Sequence, residues 1–240
     1  MFKKVAFVFF IFILILAVGC QKSPETQKSE DQTKEKKNIK QEKEQTVYTK
    51  YRANIYKDKK LNNWLATLAK GEEVTLVDEI TQKINQKELE LAKIIRADGE
   101  TTGYIERRHL AGKPIIFANN TDVYDQPTIT SNLFTSVKKG KVGFILDKKE
   151  EWTKVFVGYV KKDDEKKYVN EKWVKGGFSS DMKQVKNGLL YERAMSKLED
   201  EDSSNDKEAL ETLEQLSEKQ TLVSSLAEKN LLEHEEKTLE

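Results

Sequence analysis

The stretch "ANIYKDKKLNNWLATLAKGEEVTL" at residues 53–76 has a second copy in "TDVYDQPTITSNLFTSVKKGKVGF" at residues 121–144. Both copies carry an apolar residue followed by tyrosine near the start and a Lys-Gly pair near the end, with the glycines at Gly71 and Gly140. Because the features keep their order, we infer a duplicated unit of about 60 to 70 residues. Later segments also match: "LAKI" at 91–94 falls on "WTKV" at 152–155, and "GYIERRHL" at 103–110 falls on "KYVNEKWV" at 167–174.

Short β-prone runs continue from Val47 to about Phe178, separated by charged or glycine-bearing turns. They are rich in valine, isoleucine and aromatic residues, which is typical of β-strands. The gaps between them are too short for the crossover helices that a parallel α/β fold needs. A small barrel closes short strands on themselves and so removes exposed edges. The sequence therefore predicts a mainly β fold built from two tandem small barrels.

The same residues resemble a known family. Each copy leads from a tyrosine-bearing early strand, through a Lys-Gly turn, to a later strand and a motif such as Gly103-Tyr104-Ile105. This unit resembles the bacterial SH3-like (SH3b) domain over residues 47–112 and 115–178. The first copy has Leu91 where the family often has tryptophan, and the second has Lys167 where glycine is usual. The resemblance implies SH3-like barrels at 47–112 and 113–180 that bind cell-wall peptides or envelope proteins.

Aromatic residues are the candidates for ligand contact in these two domains. Trp152, Val155 and Val157 lie in one β-prone run, and we expect them to fill the core from one face of the strand. The remaining rings are predicted to form a shallow groove, because rigid aromatic side chains bury a large area at little entropic cost. Packing between the two domains is the alternative role for these rings. The tentative ligand-binding residues are Tyr56, Trp64 and Tyr104 in the first domain and Tyr124 and Trp173 in the second.

The N-terminus has the pattern of a secretory signal peptide. Lys3 and Lys4 precede an unbroken apolar run at 5–18, and Cys20, the only cysteine in the chain, follows Ala-Val-Gly. A run of about 14 residues is shorter than the roughly 20 that cross a bilayer, so a permanent membrane span is the weaker interpretation. The pattern resembles the lipobox of bacterial lipoproteins, in the loose form found in spirochaetes. That resemblance implies a signal peptide at 1–19 and an anchor of fatty acids such as palmitate on Cys20.

Composition limits what the rest of the chain can do. The segment at 20–46 has no aromatic residue, and Ile39 is its only sizeable aliphatic one, so we predict a disordered tether. The formal net charge is +1, which gives no global field that would favour nucleic acid. One cysteine cannot form an internal disulfide, so the folded part depends on its hydrophobic core.

The region at 181–240 is acidic, and the spacing of its apolar residues is typical of helices. We interpret it as an amphipathic helix that docks on the barrels or lies in solvent, with a partner-binding coiled coil as the alternative. The acidic segment "LEDEDSSND" at 198–206 lacks the glycine and the terminal glutamate of an EF-hand loop, so we predict a linker between two helices. The apolar residues that follow a 4-3 spacing are Ala209, Leu213, Leu216, Val223, Ala227 and Leu231.

The sequence contains no motif that indicates catalysis. His109 lies at a predicted strand end and falls on Trp173 of the second copy, and His234 lies in the charged tail. No nucleophile elbow, phosphate-binding loop or His-Glu-x-x-His motif occurs. We therefore predict no catalytic residue, no metal site and no cofactor.

Together these patterns predict a non-catalytic binding protein held in the bacterial cell envelope by its lipid, either periplasmic or exposed on the outer membrane. Its expected partners are the membrane, through the lipid on Cys20, and peptidoglycan or envelope proteins, with no role for nucleic acid. The alternative function is a surface-exposed adhesin that binds host matrix or plasma proteins through exposed lysines.

Overall fold

The computed structural model describes residues 44–162, 165–199 and 206–239. The predicted signal peptide, Cys20 and the predicted tether up to residue 43 lie outside these ranges. The first strand begins at Gln45, two residues before the predicted start of the first domain.

The N-terminal half of the described chain forms an antiparallel sheet of seven strands, which we call the first sheet. Its long central strands are rich in β-branched and leucine residues that alternate with charged ones, as half-buried strands do. A short 3-10 helix (Arg107–His109) precedes its last strand. The strands are β1 (Gln45–Thr49), β2 (Ala53–Tyr56), β3 (Trp64–Leu68), β4 (Glu73–Ile84), β5 (Lys87–Arg96), β6 (Thr102–Glu106) and β7 (Leu110–Ala111).

A second antiparallel sheet of seven strands follows, which we call the second sheet. A separate hairpin of two strands lies within this half of the chain. The strands are β8 (Pro114–Phe117), β9 (Thr121–Tyr124), β10 (Leu133–Val137), β11 (Val142–Lys149), β12 (Trp152–Phe156), the hairpin strands β13 (Gly158–Lys162) and β14 (Glu165–Val169), then β15 (Lys172–Val174) and β16 (Phe178–Ser179).

The two sheets have the same strand order. The first is ordered β3-β2-β6-β5-β4-β1-β7 and the second β10-β9-β15-β12-β11-β8-β16. The irregularities match as well: the pairing of β2 with β3 skips Leu65, and the pairing of β9 with β10 skips Phe134. Val77 and Leu146 are skipped at equivalent places in β4 and β11. Bulges bend a sheet and fix its register, so the duplication extends to the details of the backbone.

The strand pairing corrects the predicted alignment of "GYIERRHL" with "KYVNEKWV". Tyr104 pairs with Tyr56 on β2, and Trp173 pairs with Tyr124 on β9, so Tyr104 and Trp173 are equivalent. Lys172, rather than Lys167, therefore stands in the position of Gly103. The error arose because β13 and β14 form an insertion between β12 and β15, and β14 ends in a sequence similar to that of β6.

Each sheet has its own hydrophobic core. The core of the first sheet contains Ile55, Leu68 and Ile94, and that of the second contains Phe117 and Val155. A further buried cluster joins the sheets through residues of both: Tyr48, Ala111, Phe144 and Phe156. Packing between the two halves therefore uses rings other than the five predicted ligand contacts.

The core prediction for the run at 152–157 is confirmed in burial but wrong in geometry. Trp152, Val155 and Val157 are 5%, 0% and 3% exposed. The three do not share a face, because Trp152 and Val155 are an odd number of residues apart and side chains alternate along a strand. Strand β12 is instead covered on both faces, with Val155 in the core of the second sheet and Trp152 against Tyr124.

Within the described residues, three helices follow the sheets: α1 (Met182–Leu198), α2 (Asp206–Ser217) and α3 (Ser224–Leu239). The carboxylate of Asp181 caps α1 by accepting a hydrogen bond from the Gln184 N–H at 2.9 Å. On α1, a Cβ at Gly188 would lie 2.6 Å from Ile116 Cδ1, so glycine permits the close approach of this helix to β8.

The predicted apolar stripe packs within the chain rather than forming a coiled coil. All six of its residues belong to one cluster with Ile116 and Val142 of the second sheet. The stripe is divided between α2, the turn that follows it and α3, and both Gln220 and Val223 lie in that turn. The mainly β class and the helical C-terminal region are thus confirmed. Residues 200–205 of the predicted linker at 198–206 lie outside the described residues, and its ends, Leu198 and Asp206, belong to α1 and α2.

Candidate ligand-binding surface

Three of the predicted contact residues lie side by side on the first sheet. Tyr56 on β2 is directly opposite Trp64 on β3 and Tyr104 on β6. Residues directly opposite each other in antiparallel strands project from the same face of the sheet. The row continues through Lys93, which pairs with Tyr104, to Asp78, which pairs with Lys93. We call these five residues the first row.

Accessibility in the first row increases toward the edge of the sheet. Trp64 lies on the edge strand β3 and is 61% exposed, whereas Tyr56 and Tyr104 are half-buried. Lys59 covers part of one ring, with its Nζ 5.8 Å from the centroid of Tyr104. The indole N–H of Trp64 donates to Thr67 Oγ1 at 3.4 Å. The row thus offers an exposed indole next to two partly accessible phenol rings.

A rigid turn presents Trp64. The carboxylate of Asp58 accepts hydrogen bonds from the Lys60 N–H at 2.8 Å and the Asn63 N–H at 3.1 Å. Leu61 has a φ of 58°, in the left-handed region, within this turn. The slight desolvation of the carboxyl is outweighed by these donors, which lower the pKa of Asp58 below its ordinary value.

The second sheet carries an equivalent row, which we call the second row. It consists of Leu133, Tyr124, Trp173, Lys154 and Asp147, at the same five positions. Tyr124 packs its ring edge-on against Trp152, with centroids 5.5 Å apart. Lys154 Nζ lies 5.0 Å from the centroid of the Trp173 ring.

The predicted exposure of Trp173 is wrong. Only 8% of this residue is accessible, and the side chain of Lys154 lies over its ring. The structure therefore brings Tyr56, Trp64 and Tyr104 together on one accessible surface, and it places Tyr124 and Trp173 together in a more closed one. Sequence reasoning missed the lysine and aspartate of each row. The match of "LAKI" with "WTKV" already places Lys93 on Lys154, but only the strand pairing shows that these lysines lie beside Tyr104 and Trp173.

A second group missed from the sequence is an ion cluster where α1 meets both sheets. Glu192 accepts from Lys70 Nζ at 2.6 Å and from the Val142 N–H at 2.9 Å, and Lys141 Nζ lies 3.3 Å away. Burial alone would raise the pKa of Glu192, but the two lysines hold it below its ordinary value. Burial, together with the neighbouring charge of Lys141, lowers the pKa of Lys70 in spite of its pair with Glu192. The cluster connects the two sheets to the helix.

His109 occupies a structural position on the first sheet. Its carbonyl accepts from the Lys50 N–H at 2.8 Å, and its ring contacts Tyr51 with centroids 4.9 Å apart. The equivalent carbonyl of the second sheet belongs to Gly177, which accepts from the Ala118 N–H at 2.9 Å. The predicted equivalence of His109 and Trp173 is therefore wrong. Burial lowers the pKa of His109 in spite of Glu106 nearby.

The part of the chain that the structure describes holds no group of three or more His, Cys, Asp or Glu side chains placed to bind a metal ion. In the same ranges, no helix is long and apolar enough to cross a membrane.

Comparison with known proteins gives a family but no informative structural relative. No curated protein matches the chain significantly. Two solved structures from Trichomonas vaginalis, NlpC2 and NlpC1, are 13% and 12% identical, with TM-scores of 0.23 and 0.22. Each match covers 64% of this chain, and it covers 56% of NlpC2 and 53% of NlpC1.

These scores are too low to relate the folds. The family model described as lipoprotein LenA, by contrast, matches residues 7–240, which is nearly the whole chain. The chain therefore belongs to the lipoprotein LenA family, and it is a bacterial lipoprotein associated with the cell envelope.

Proposed function

We propose that this lipoprotein is a non-catalytic binding protein that holds a peptide segment, from the cell wall or from an envelope protein, against the first row. The observation that carries the proposal is the arrangement of Trp64, Tyr56 and Tyr104 side by side, with the indole 61% exposed. Aromatic rings on a rigid sheet bind with little loss of conformational entropy. A lipid on Cys20 would hold this surface at the membrane.

The duplicated strand order supports a further part of the proposal, that each half of the β region is an SH3-like barrel. Both sheets repeat the same seven-strand order and the same bulges, and bulges are common where sheets curl. In this proposal the first barrel binds the ligand. The second has lost the open ring, because Leu133 stands where Trp64 does.

Binding to purified peptidoglycan sacculi tests the proposal. Full-length lipoprotein in a neutral detergent is sedimented with sacculi, and soluble muropeptides are added as competitors. Trp64→Ala is expected to weaken binding by about 1 to 3 kcal/mol, or roughly 5- to 150-fold, as loss of a central aromatic contact does.

Leu133→Ala is the matched control, because Leu133 lies at the same position of the second row and is 50% exposed. It is expected to bind sacculi like the wild type. Equal affinity of Trp64→Ala and the wild type would overturn the first row as the binding site. Absence of any binding to sacculi by the wild type would overturn the cell-wall ligand.

The alternative is a surface adhesin for host matrix or plasma proteins, and the exposed lysines of the second half are its support. Adding a protease to intact cells separates the two locations. Removal of the protein from intact cells would favour the adhesin, whereas protection until the envelope is opened would favour the cell-wall ligand.

A further inference from the structure

The hairpin of β13 and β14 forms one wall of a cleft of about 570 Å³. The end of β10, the turn that follows it and the end of α1 form the other walls. Clefts of this size are typical of ligand sites. The first sheet has no counterpart, because its β5 and β6 are joined by a short turn. The cleft is separate from both rows.

The cleft is strongly basic. Its lining includes Lys138, Lys141, Lys161 and Lys166 and one acidic residue, Glu199. Of these lysines, Lys141 also pairs with Glu192. Lys161 and Lys166 are exposed and directly opposite each other in the hairpin. Like charges in this arrangement destabilise a strand pair. A cleft lined by one sign of charge concentrates the field and attracts ions of the opposite sign.

Exposed tyrosines lie beside the lysines on the same face of the hairpin. Tyr159 pairs with Tyr168, and their ring centroids are 4.9 Å apart. Tyr159 is 66% exposed and lines the cleft. The opposite face already anchors the hairpin, because Val160 and Val169 are buried in the core of the second sheet. Tyr168 also packs edge-on against Phe156, with ring centroids 5.9 Å apart, so Tyr159 is the more accessible ring of the outer face.

We propose that this cleft binds an anionic polysaccharide that carries sulfate or phosphate groups. The lysines are spread along two strands and a turn, which suits charges repeated along a chain. Lysine is a point charge that pairs with such groups without a fixed planar geometry, and no arginine lines the cleft. The flat C–H face of a sugar ring packs on an open aromatic ring such as Tyr159. An acidic peptide would supply the charge but lacks this rigid flat face.

The test measures binding of full-length lipoprotein, in neutral detergent, to immobilised dextran sulfate, with uncharged dextran as the blank. The double substitution Lys161→Gln with Lys166→Gln should weaken binding at least tenfold near 0.15 M salt. It should also reduce the slope of log K against log salt by about two, because each substitution removes one pairing of a lysine with an anionic group. Tyr159→Ala should weaken binding severalfold without changing the slope, because it removes packing and no charge.

Lys148→Gln with Lys149→Gln is the matched control, since both lysines are exposed on β11 and the net charge changes equally. An equal loss of affinity in this control would overturn the cleft as the site. The polysaccharide would be ruled out as the ligand if polyglutamate displaced the protein from dextran sulfate as well as soluble dextran sulfate does. It would also be ruled out if binding to vesicles of anionic phospholipid depended equally on Lys161, Lys166 and Tyr159. Unchanged affinity of Tyr159→Ala would overturn the stacking of a sugar on that ring. Far-UV circular dichroism establishes that each variant is folded.

Discussion

The two sheets share a backbone plan but use their tryptophans differently. In the first sheet the row ends in Trp64, which is 61% exposed, and the core position equivalent to Trp152 holds Leu91. In the second sheet Trp152 and Trp173 are 5% and 8% exposed, and Leu133 stands at the accessible end. Strand order, bulges and the lysine–aspartate end of each row are the same. The two sheets therefore share one backbone arrangement, but the first exposes its tryptophan and the second buries both of its tryptophans.

The sheets also differ in where they have been extended. The ribbon of β4 and β5 continues for four residue pairs beyond the pair of Ile80 with Leu91, whereas β11 and β12 end at the equivalent pair, Lys149 with Trp152. The second half instead gains the hairpin of β13 and β14. Both extensions occur at turns between paired strands, where added residues leave the existing ladder intact.

The helices contact both halves at equivalent turns. Gly71 and Gly140 have φ values of 77° and 85°, and both lie against leucines of the helical region, Leu189 on α1 and Leu226 on α3. Their N–H groups donate to equivalent carbonyls, those of Thr49 and Phe117, at 2.8 Å. The Lys-Gly pairs found in the sequence therefore serve as turns on which the helices pack.

The largest expected effect concerns the two tryptophans. Trp152→Ala should lower the free energy of unfolding by about 3 to 5 kcal/mol, because it leaves a cavity in a packed core. Trp64→Ala should change it by less than about 0.5 kcal/mol, since most of the indole is already in water. Urea denaturation followed by far-UV circular dichroism measures both. Trp152→Leu introduces the residue that the first sheet has at this position, and it should lower the free energy of unfolding less than Trp152→Ala does. Equal losses for Trp152→Ala and Trp64→Ala would contradict the assigned roles.

A smaller effect is expected at the contact between the halves. Glu192→Gln keeps the shape of the side chain but removes the charge that pairs with Lys70 and Lys141. It should cost about 2 kcal/mol, because it leaves partly buried cations without an anion. The control is Glu233→Gln, whose exposed pair with Lys229 should cost less than about 0.5 kcal/mol. Urea denaturation again provides the values, and a cost no larger than that of the control would show that the cluster does not hold the halves together.

Acid should destabilise the folded protein by protonating the carboxylate of Glu192. The pKa of Glu192 in the folded state is below its ordinary value, so the unfolded chain binds this proton first as pH falls. The stability from Glu192 is therefore present above the unfolded pKa of about 4.3 and is lost as pH falls through the folded pKa. In Glu192→Gln, the decline of unfolding free energy below about pH 4.3 should be shallower than in the wild type.

Sequence patterns predicted the β class, the duplicated strands and the apolar stripe of the helices, because these follow from periodicity and local composition. They failed where register decides the outcome. The equivalence of Tyr104 with Trp173 depends on pairing with β2 and β9, and the intervening hairpin disguised it. The Glu192 cluster joins residues up to 122 positions apart, and no local pattern reports such a contact. Polar residues precede both Trp64 and Trp173 in the sequence, and only the completed sheet determines which ring is covered.

The smallest expected effect is a pH dependence of stability that arises from the first sheet and has no counterpart in the second. The 3-10 helix of the first sheet ends in His109, whereas the equivalent residue of the second is Gly177, which does not titrate. Burial is the main cause of the lowered pKa of His109. Of the charged groups that face it, Arg108 and Lys50 lower the pKa further and Glu106 raises it. Between the folded pKa and the unfolded value of about 6.5, the unfolded chain binds more protons, so stability rises with pH across this window and falls as the solution is acidified.

His109→Phe keeps an aromatic ring beside Tyr51 and removes the titration. Its unfolding free energy, measured in urea from pH 7.5 to 5, should change less with pH than that of the wild type. If the two profiles stay parallel over this range, the pH dependence does not arise from His109, and the proposed difference between the sheets is wrong.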